Sequence, residues 1–153
     1  MNGDTISVLL VEDDPKDAKL TARALQSGNV SIQIDLVRDG EQALDYLFCR
    51  EAYSQRSLDN PPQVILLDLK LPKVDGLQVL REIKNRAETR AIPVVALTSS
   101  REERDMVMCY QLGVNSYIQK PIDFDQFCEI IRNLGLYWTK LNEPPPVTML
   151  QVL

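Results

Sequence analysis

Residues 9–14 read Leu-Leu-Val-Glu-Asp-Asp, an apolar run that stops abruptly in three consecutive acids. A second run, Val64-Ile65-Leu66-Leu67, stops in Asp68. A third, Val94 to Leu97, stops in Thr98, and a short fourth around Tyr117-Ile118 ends in Lys120-Pro121. Unbroken apolar runs mark strands buried on both faces, as in parallel sheets, whose ligand sites form beyond the carboxyl ends of the strands. Clustered carboxylates at such a rim suit a hard cation, and a lysine and a hydroxyl beside them suit a phosphoryl group. The pattern constrains fold class and chemistry together.

At 153 residues the chain reads as one domain able to bury a real core. A net charge of −5 and a pI near 4.8 argue against a nucleic-acid partner held by a basic surface. No apolar stretch approaches the roughly 18 residues of a membrane span. Met1-Asn2-Gly3-Asp4-Thr5 lacks the positive region and apolar segment of a signal peptide. A cytoplasmic protein with no membrane partner is expected. The three cysteines, Cys49, Cys109 and Cys128, are odd in number and widely spaced, against a disulfide framework or zinc site. Cys128 falls on an apolar helical face and reads as a core thiol. The chain has no histidine, which excludes histidine-based catalysis within it.

Periodicity predicts five strand-then-helix units. Strand one covers about Ile6 to Val11, and Asp14-Pro15 reads as an N-cap with proline at the first helical position. That helix places Ala18, Ala22 and Leu25 on one face and stops near Gly28-Asn29. Strand two, about Ile32 to Val37, leads through Asp39-Gly40 into a helix with Ala43, Leu44, Leu47 and Phe48 at helical spacing. Strand three, Val64 to Leu67, is followed by the turn Pro72-Lys73-Val74-Asp75-Gly76 and a helix carrying Leu77, Leu80, Ile83 and Lys84. Strand four begins after Pro93. Ser100 and Glu103 match a capping box for a helix that stops at Gly113. Strand five is short. Asp123 with Gln126 repeats the capping signature for a last helix with Phe124, Phe127, Cys128, Ile131 and Leu134 at three-four spacing.

Strands and helices alternating at this length indicate an α/β doubly wound parallel sheet. The usual five-strand order, 2-1-3-4-5, sets strands one and three side by side at the switch point, so Glu12 and Asp13 face Asp68 across the crevice. Two segments depart from a minimal design. Residues 50–63 are a long polar connection where about 2–6 residues would suffice, and so form an insertion. Residues 142–153 begin with Asn142-Glu143-Pro144-Pro145-Pro146 and finish with apolar Val147, Met149, Leu150, Val152 and Leu153.

Each site residue also has a plainer explanation. Capping accounts for Asp14. Glu12 and Asp13 have no such task, and adjacent acids at a buried strand end repel unless a cation offsets them. Asp68 alone could start a turn; Thr98 alone could be a strand end and Lys120 a solvated lysine. Lys120 before Pro121 allows a cis bond that would aim the side chain inward. The signal lies in the combination and its order.

Leu-Val-Glu-Asp-Asp-Pro, Leu-Leu-Asp-Leu-Lys-Leu-Pro with Asp75-Gly76, Ala-Leu-Thr-Ser-Ser, and Tyr117-Ile118-Gln119-Lys120-Pro121 occur in this order. On these motifs the chain resembles the receiver domains of two-component response regulators, over about residues 5–138. The insertion before strand three, Gly113-Val114-Asn115-Ser116-Tyr117, the stretch from Pro121 to Phe127 and Tyr137-Trp138 make it most similar to the stand-alone regulators that partner phytochrome-type histidine kinases.

The resemblance implies a flavodoxin-like (CheY-like) fold with five helices, a receiver domain over 5–141, and a Pro-rich linker and apolar tail over 142–153. It implies that Asp68 is the phosphoacceptor, Asp13 a direct Mg²⁺ ligand, Glu12 a ligand through water, and the Lys70 backbone carbonyl another ligand. Thr98 would donate its hydroxyl to the phosphoryl group and Lys120 would pair with it. Tyr117 would be the aromatic that moves on activation, and Lys70 and Ser100 would tune the hydrolytic water. The donor would be a partner histidine kinase of bacteriophytochrome type. The switch would alter the face made by helix four, strand five and helix five, with output by protein contact rather than as a metabolic enzyme. A homodimer is expected, with Tyr137 and Trp138 in its interface. An Mg²⁺-dependent aspartyl phosphohydrolase shares the architecture, but Asp68-Leu69-Lys70 lacks the second acid two residues on. A receiver-like module that no longer takes phosphate is the third reading, and retention of Asp13, Asp68, Thr98 and Lys120 argues against it.

Overall fold

The computed structural model describes residues 5–28 and 31–146. The strands are β1 (Ile6–Val11), β2 (Ile32–Val37), β3 (Val64–Leu67), β4 (Val94–Thr98) and β5 (Ser116–Gln119). The helices are α1 (Pro15–Leu25), α2 (Gly40–Leu47), α3 (Gly76–Asn85), α4 (Glu103–Gln111) and α5 (Phe124–Leu136). All strand pairs are parallel, in the order β2-β1-β3-β4-β5. This is the expected doubly wound, CheY-like arrangement. Val11 pairs with Leu67, so the residues that follow, Glu12 and Asp68, leave the sheet side by side.

Alternation along the strands builds two cores. Leu9, Val11, Ile65, Leu67 and Ala96 pack with Ala43, Leu47, Val79, Leu80, Ile83 and Cys109 on one face. Val8, Leu10, Leu66, Val95 and Leu97 pack with Ala24, Leu25, Phe127, Ile131 and Leu134 on the other. Each large side chain so buried contributes roughly 1.5–3 kcal/mol. The helix starts follow local chemistry: the side chains of Asp14, Asp39, Asp75 and Asp123 accept from backbone amides of the first turn. Gly113, at φ 97, ends α4 as expected.

Several details differ from the periodic reading. Helix α1 ends at Leu25 and buries Thr21 and Ala24, leaving Ala22 only half-buried. Helix α2 buries Tyr46 more deeply than Leu44 or Phe48, because the Tyr46 hydroxyl finds Asp35 at 2.5 Å and satisfies its polar end. Phe124 is exposed, since it opens α5 at the rim of the sheet rather than over it. Cys128 is half-buried against the second core. Ser100 does not cap α4: the N-cap is Glu102, whose side chain makes no capping bond, and the Ser100 hydroxyl donates to Asp105 while accepting only from the Glu102 amide, ahead of the helix. No peptide bond among the described residues is cis, so Lys120–Pro121 is trans and the strand-end geometry itself turns Lys120 inward.

The 50–63 insertion is folded onto the domain. It forms a 3₁₀ turn over Glu51–Tyr53, whose tyrosine meets Tyr46 edge-on at 5.3 Å. Arg56 stacks 3.7 Å over the Tyr46 ring and donates to the carbonyls of Tyr46 and Asn60. Beyond α5 the chain continues as one wider turn, Tyr137–Leu141, and Pro144 and Pro145 reach the base of the sheet beside Pro61, Pro62 and Pro93. The apolar tip of the tail, Val147 to Leu153, lies outside the described residues.

The β3–α3 loop is clipped to the start of α2. Gly40 donates to the Pro72 carbonyl at 3.4 Å, and Lys73 lies 3.8 Å from Asp39. A Cβ on Gly40 would stand 1.7 Å from the Val74 carbonyl oxygen. Gly40→Ala is therefore expected to cost at least about 2 kcal/mol, because backbone must move. Gly28→Ala, with nothing within 4 Å, should change stability by under about 0.5 kcal/mol. Urea denaturation of both variants checks the contrast, and equal losses would refute the clip.

Candidate functional site

Four strand ends and the first turn of α1 converge on one crevice. Glu12 follows β1, Asp68 follows β3, Thr98 closes β4 and Lys120 follows β5; all four are buried. The Lys120 ammonium donates to Glu12 Oε1 at 2.6 Å, Asp17 Oδ2 at 3.0 Å and Asp68 Oδ2 at 3.2 Å. Its backbone amide donates to the Thr98 carbonyl at 2.7 Å. Asp13 is exposed at the mouth, and Glu12, Asp13 and Asp68 each bring a carboxylate oxygen within 4.8 Å of the others. An all-oxygen set with one solvent-facing acid suits a hard cation that keeps several waters, so the residues present fit Mg²⁺. Lys70 is exposed beside them, its amide donating to Asp68 Oδ1 at 3.2 Å.

The electrostatics follow from burial. Removal from water pushes the Glu12 carboxyl up to about 7; the Lys120 hydrogen bond opposes this and the charge of Asp68 adds to it. Burial alone would lower the Lys120 ammonium, but the Glu12 hydrogen bond and the charges of Asp68 and Glu12 outweigh it and hold it well above its ordinary value.

The rim loops carry the other expected residues. Thr98 Oγ1 accepts from the Ser100 amide at 3.1 Å, and Ser100 Oγ donates to Asp105 at 2.6 Å. Tyr117 is half-buried against the first core, its hydroxyl enclosed with no hydrogen-bond partner. Asp14 caps α1, as its plainer explanation has it, through the amides of Lys16 and Asp17. Tyr137 and Trp138 lie far along the chain from this rim, with Tyr137 exposed and Trp138 packed on the second core. Asp17 was missed from sequence; its one signal was an acid one turn after the Asp14 cap. Arg101, which ties Gln119 and the Lys120 carbonyl at 2.8 and 2.9 Å, left no signal at all.

A pH dependence follows for the metal-free protein. Glu12 ionises near 4.5 when unfolded and near 7 when folded. Between those values the folded state binds more protons, so this residue's contribution to stability falls as pH rises through the window. Wild type should lose stability relative to Glu12→Gln between pH 5 and pH 7.5. Urea melts of the two at both pH values test this, and a constant difference would refute it.

Comparison with known proteins agrees with this geometry. Residues 8–132 match the family model described as the response regulator receiver domain. The chain is 42% identical to the probable methanogenesis regulatory protein FilR2 of Methanothrix harundinacea, over 93% of this chain and 89% of that protein. The response regulator Rcp1 of Synechocystis is 35% identical over 86% of this chain and 87% of its own length. Among solved structures, the phosphorylated cyanobacterial phytochrome response regulator RcpA superposes with a TM-score of 0.87 at 38% identity, covering 92% of this chain and 99% of that one. The Mn²⁺-bound form of Rcp1 gives 0.86 at 34% identity, with the same coverage. The carboxylate crevice at the β1–β3 switch point thus sits in a chain that belongs to the receiver-domain family of two-component response regulators.

Proposed function

We propose that the protein takes a phosphoryl group from a partner histidine kinase onto Asp68 in an Mg²⁺-dependent reaction, and signals through the face made by α4, β5 and α5. The observation that carries this is the buried Lys120 ammonium shared among Glu12, Asp17 and Asp68, beside an exposed Asp13. Asp13, Asp68, the Lys70 carbonyl and, through water, Glu12 would hold the cation, which offsets charge on the transferred group. An Asp68 carboxylate oxygen attacks phosphorus in line, the phosphorus–nitrogen bond of the donor breaks, and its electron pair leaves with the imidazole. Lys120 and the Thr98 hydroxyl then bind the new phosphoryl oxygens, and Lys120 loosens from its carboxylates as it does so. Similarity to RcpA and Rcp1, and to the bacteriophytochrome response regulator RtBRR at 49% identity over 97% of this chain, favours a phytochrome-type kinase as donor.

Cytoplasmic location fits this reading; among the described residues no helix is long and apolar enough to cross a membrane. A homodimer belongs to the same proposal. Leu136, Tyr137 and Leu141 expose apolar surface at the end of α5, whereas Trp138 faces its own core and is a weaker anchor than the sequence implied. Sedimentation of wild type and Tyr137→Ala at tens of micromolar decides it; a monomeric wild type would sink the dimer.

The nucleophile and the cation are tested together. Asp68→Asn, nearly isosteric, should take no phosphate from acetyl phosphate and Mg²⁺ by intact mass while melting normally. Asp13→Asn should weaken Mg²⁺ binding by about tenfold or more on calorimetry, because a direct anionic ligand is lost. Asp14→Asn should bind nearly as wild type, since Asp14 serves the helix. Phosphate added to Asp68→Asn would overturn the assignment.

A further inference from the structure

Around the Thr98 loop the donors and acceptors do not balance. Asp105, at the third position of α4, accepts the Ser100 hydroxyl at 2.6 Å, while the α4 N-cap, Glu102, makes no capping bond with its side chain and donates its own amide to Ser100 Oγ at 3.3 Å. The same Ser100 holds the Thr98 hydroxyl through its amide at 3.1 Å. The Tyr117 hydroxyl is enclosed without a hydrogen bond, its ring packs on the core that holds Cys109, and Asp105 lies one turn before Cys109 on α4. One carboxylate thus shares this part of α4 with two hydroxyl donors and bonds only one of them. Asp105 also borders a cleft of about 450 Å³ shared with Lys70, between the β3–α3 loop and α4, so its carboxylate has room to reorient.

We propose that Asp105 is a positioning residue that exchanges Ser100 for Tyr117 as its hydrogen-bond donor when Thr98 turns toward a phosphoryl group. The proposal rests on Asp68 being the phosphoacceptor. In the resting protein Ser100–Asp105 latches the β4–α4 loop and keeps Thr98 Oγ1 engaged with the Ser100 amide. Movement of Thr98 carries Ser100 with it and withdraws its hydroxyl from Asp105. The vacated acceptor is the one that the buried Tyr117 hydroxyl lacks. No proton is transferred; one O–H donor replaces another, and a buried unpaired hydroxyl is satisfied in the switched state. Because each donor bonds in only one of the two states, each substitution biases the equilibrium between them.

The test is a set of substitutions read by phosphorylation from acetyl phosphate and Mg²⁺. Ser100→Ala removes the resting-state bond to Asp105, with the longer one accepted from the Glu102 amide, and should raise the rate by about threefold to tenfold, the span of one net hydrogen bond. Tyr117→Phe removes a bond of the switched state only and should lower it by a similar factor. In an Asp105→Ala background both effects should vanish, which a loss of structure alone would not produce. Mg²⁺ affinity by calorimetry should be the same throughout. If Asp105→Ala fails to fold, Asp105→Asn keeps an acceptor without the charge, and both effects should shrink while keeping their signs. Full-sized effects of Ser100→Ala and Tyr117→Phe without Asp105, or effects of the same sign, overturn the exchange alone. A wild type that takes no phosphate overturns the reading of Asp68 and the exchange with it.

Discussion

One buried ammonium organises the carboxyl end of this sheet. Lys120 is 8% exposed and lies within 3.2 Å of oxygens on Glu12, Asp17 and Asp68. Three acids in one crevice repel, and in a medium of low effective dielectric that repulsion is far larger than at the surface. The lysine offsets it and in doing so ties the ends of β1, β3 and β5 and the first turn of α1 to a single point. Such a cluster is worth little as a source of stability compared with packed apolar groups, but leaving it without its cation is expensive. Its value is positional: the arrangement holds carboxylates close enough for a metal and, under the proposed function, would keep one positive charge for an incoming phosphoryl group.

The contrast between sheet and rim is what the proposed switch would require. The central strand residues of both cores are almost wholly buried, and cores packed at that density do not deform continuously. The loops above them are held by single contacts that can be counted: Lys73 to Asp39, Arg101 to Gln119 and the Lys120 carbonyl, Ser100 to Asp105. A few hydrogen bonds on a rigid platform can have two discrete arrangements, and new charge in the crevice can choose between them. Tyr117, anchored in β5 against the first core but with an unpaired hydroxyl, stands at the boundary between the two regimes.

Most of the fold was legible in the chain. Strands β1, β3 and β4 were announced by runs of apolar residues, and four helix starts carried an aspartate that local hydrogen bonding explains without tertiary help. Local pattern failed where one side chain had two uses. Ser100 looked like a cap, but a hydroxyl can donate as well as accept: it donates to Asp105 and reaches only the Glu102 amide, one residue ahead of the helix. Tyr46 lay outside the stripe of Ala43, Leu44, Leu47 and Phe48, yet it is buried because Asp35 takes its hydroxyl. Phe124 had helical spacing but lies at the rim, where the sheet below it has ended. The polar insertion was visible as excess length, yet nothing in it forecast that Arg56 would stack on Tyr46 and bind two carbonyls.

The sequence by itself determined which residues could reach the crevice. Parallel strands must be buried on both faces, so the end of each apolar run marks the same edge of the sheet, and Glu12, Asp13, Asp68, Thr98 and Lys120 follow from that rule. What tertiary structure alone decided is how their charges are shared. Asp17 joined the site because α1 packs so that its first turn leans over the end of β5, an approach between residues 103 apart that no local pattern encodes. The same holds for Lys120, drawn to three acids from three different elements, and for Tyr117, enclosed before its hydroxyl has a partner. Burial and periodicity are properties of single segments, whereas the direction of a buried hydrogen bond is settled only when the segments meet.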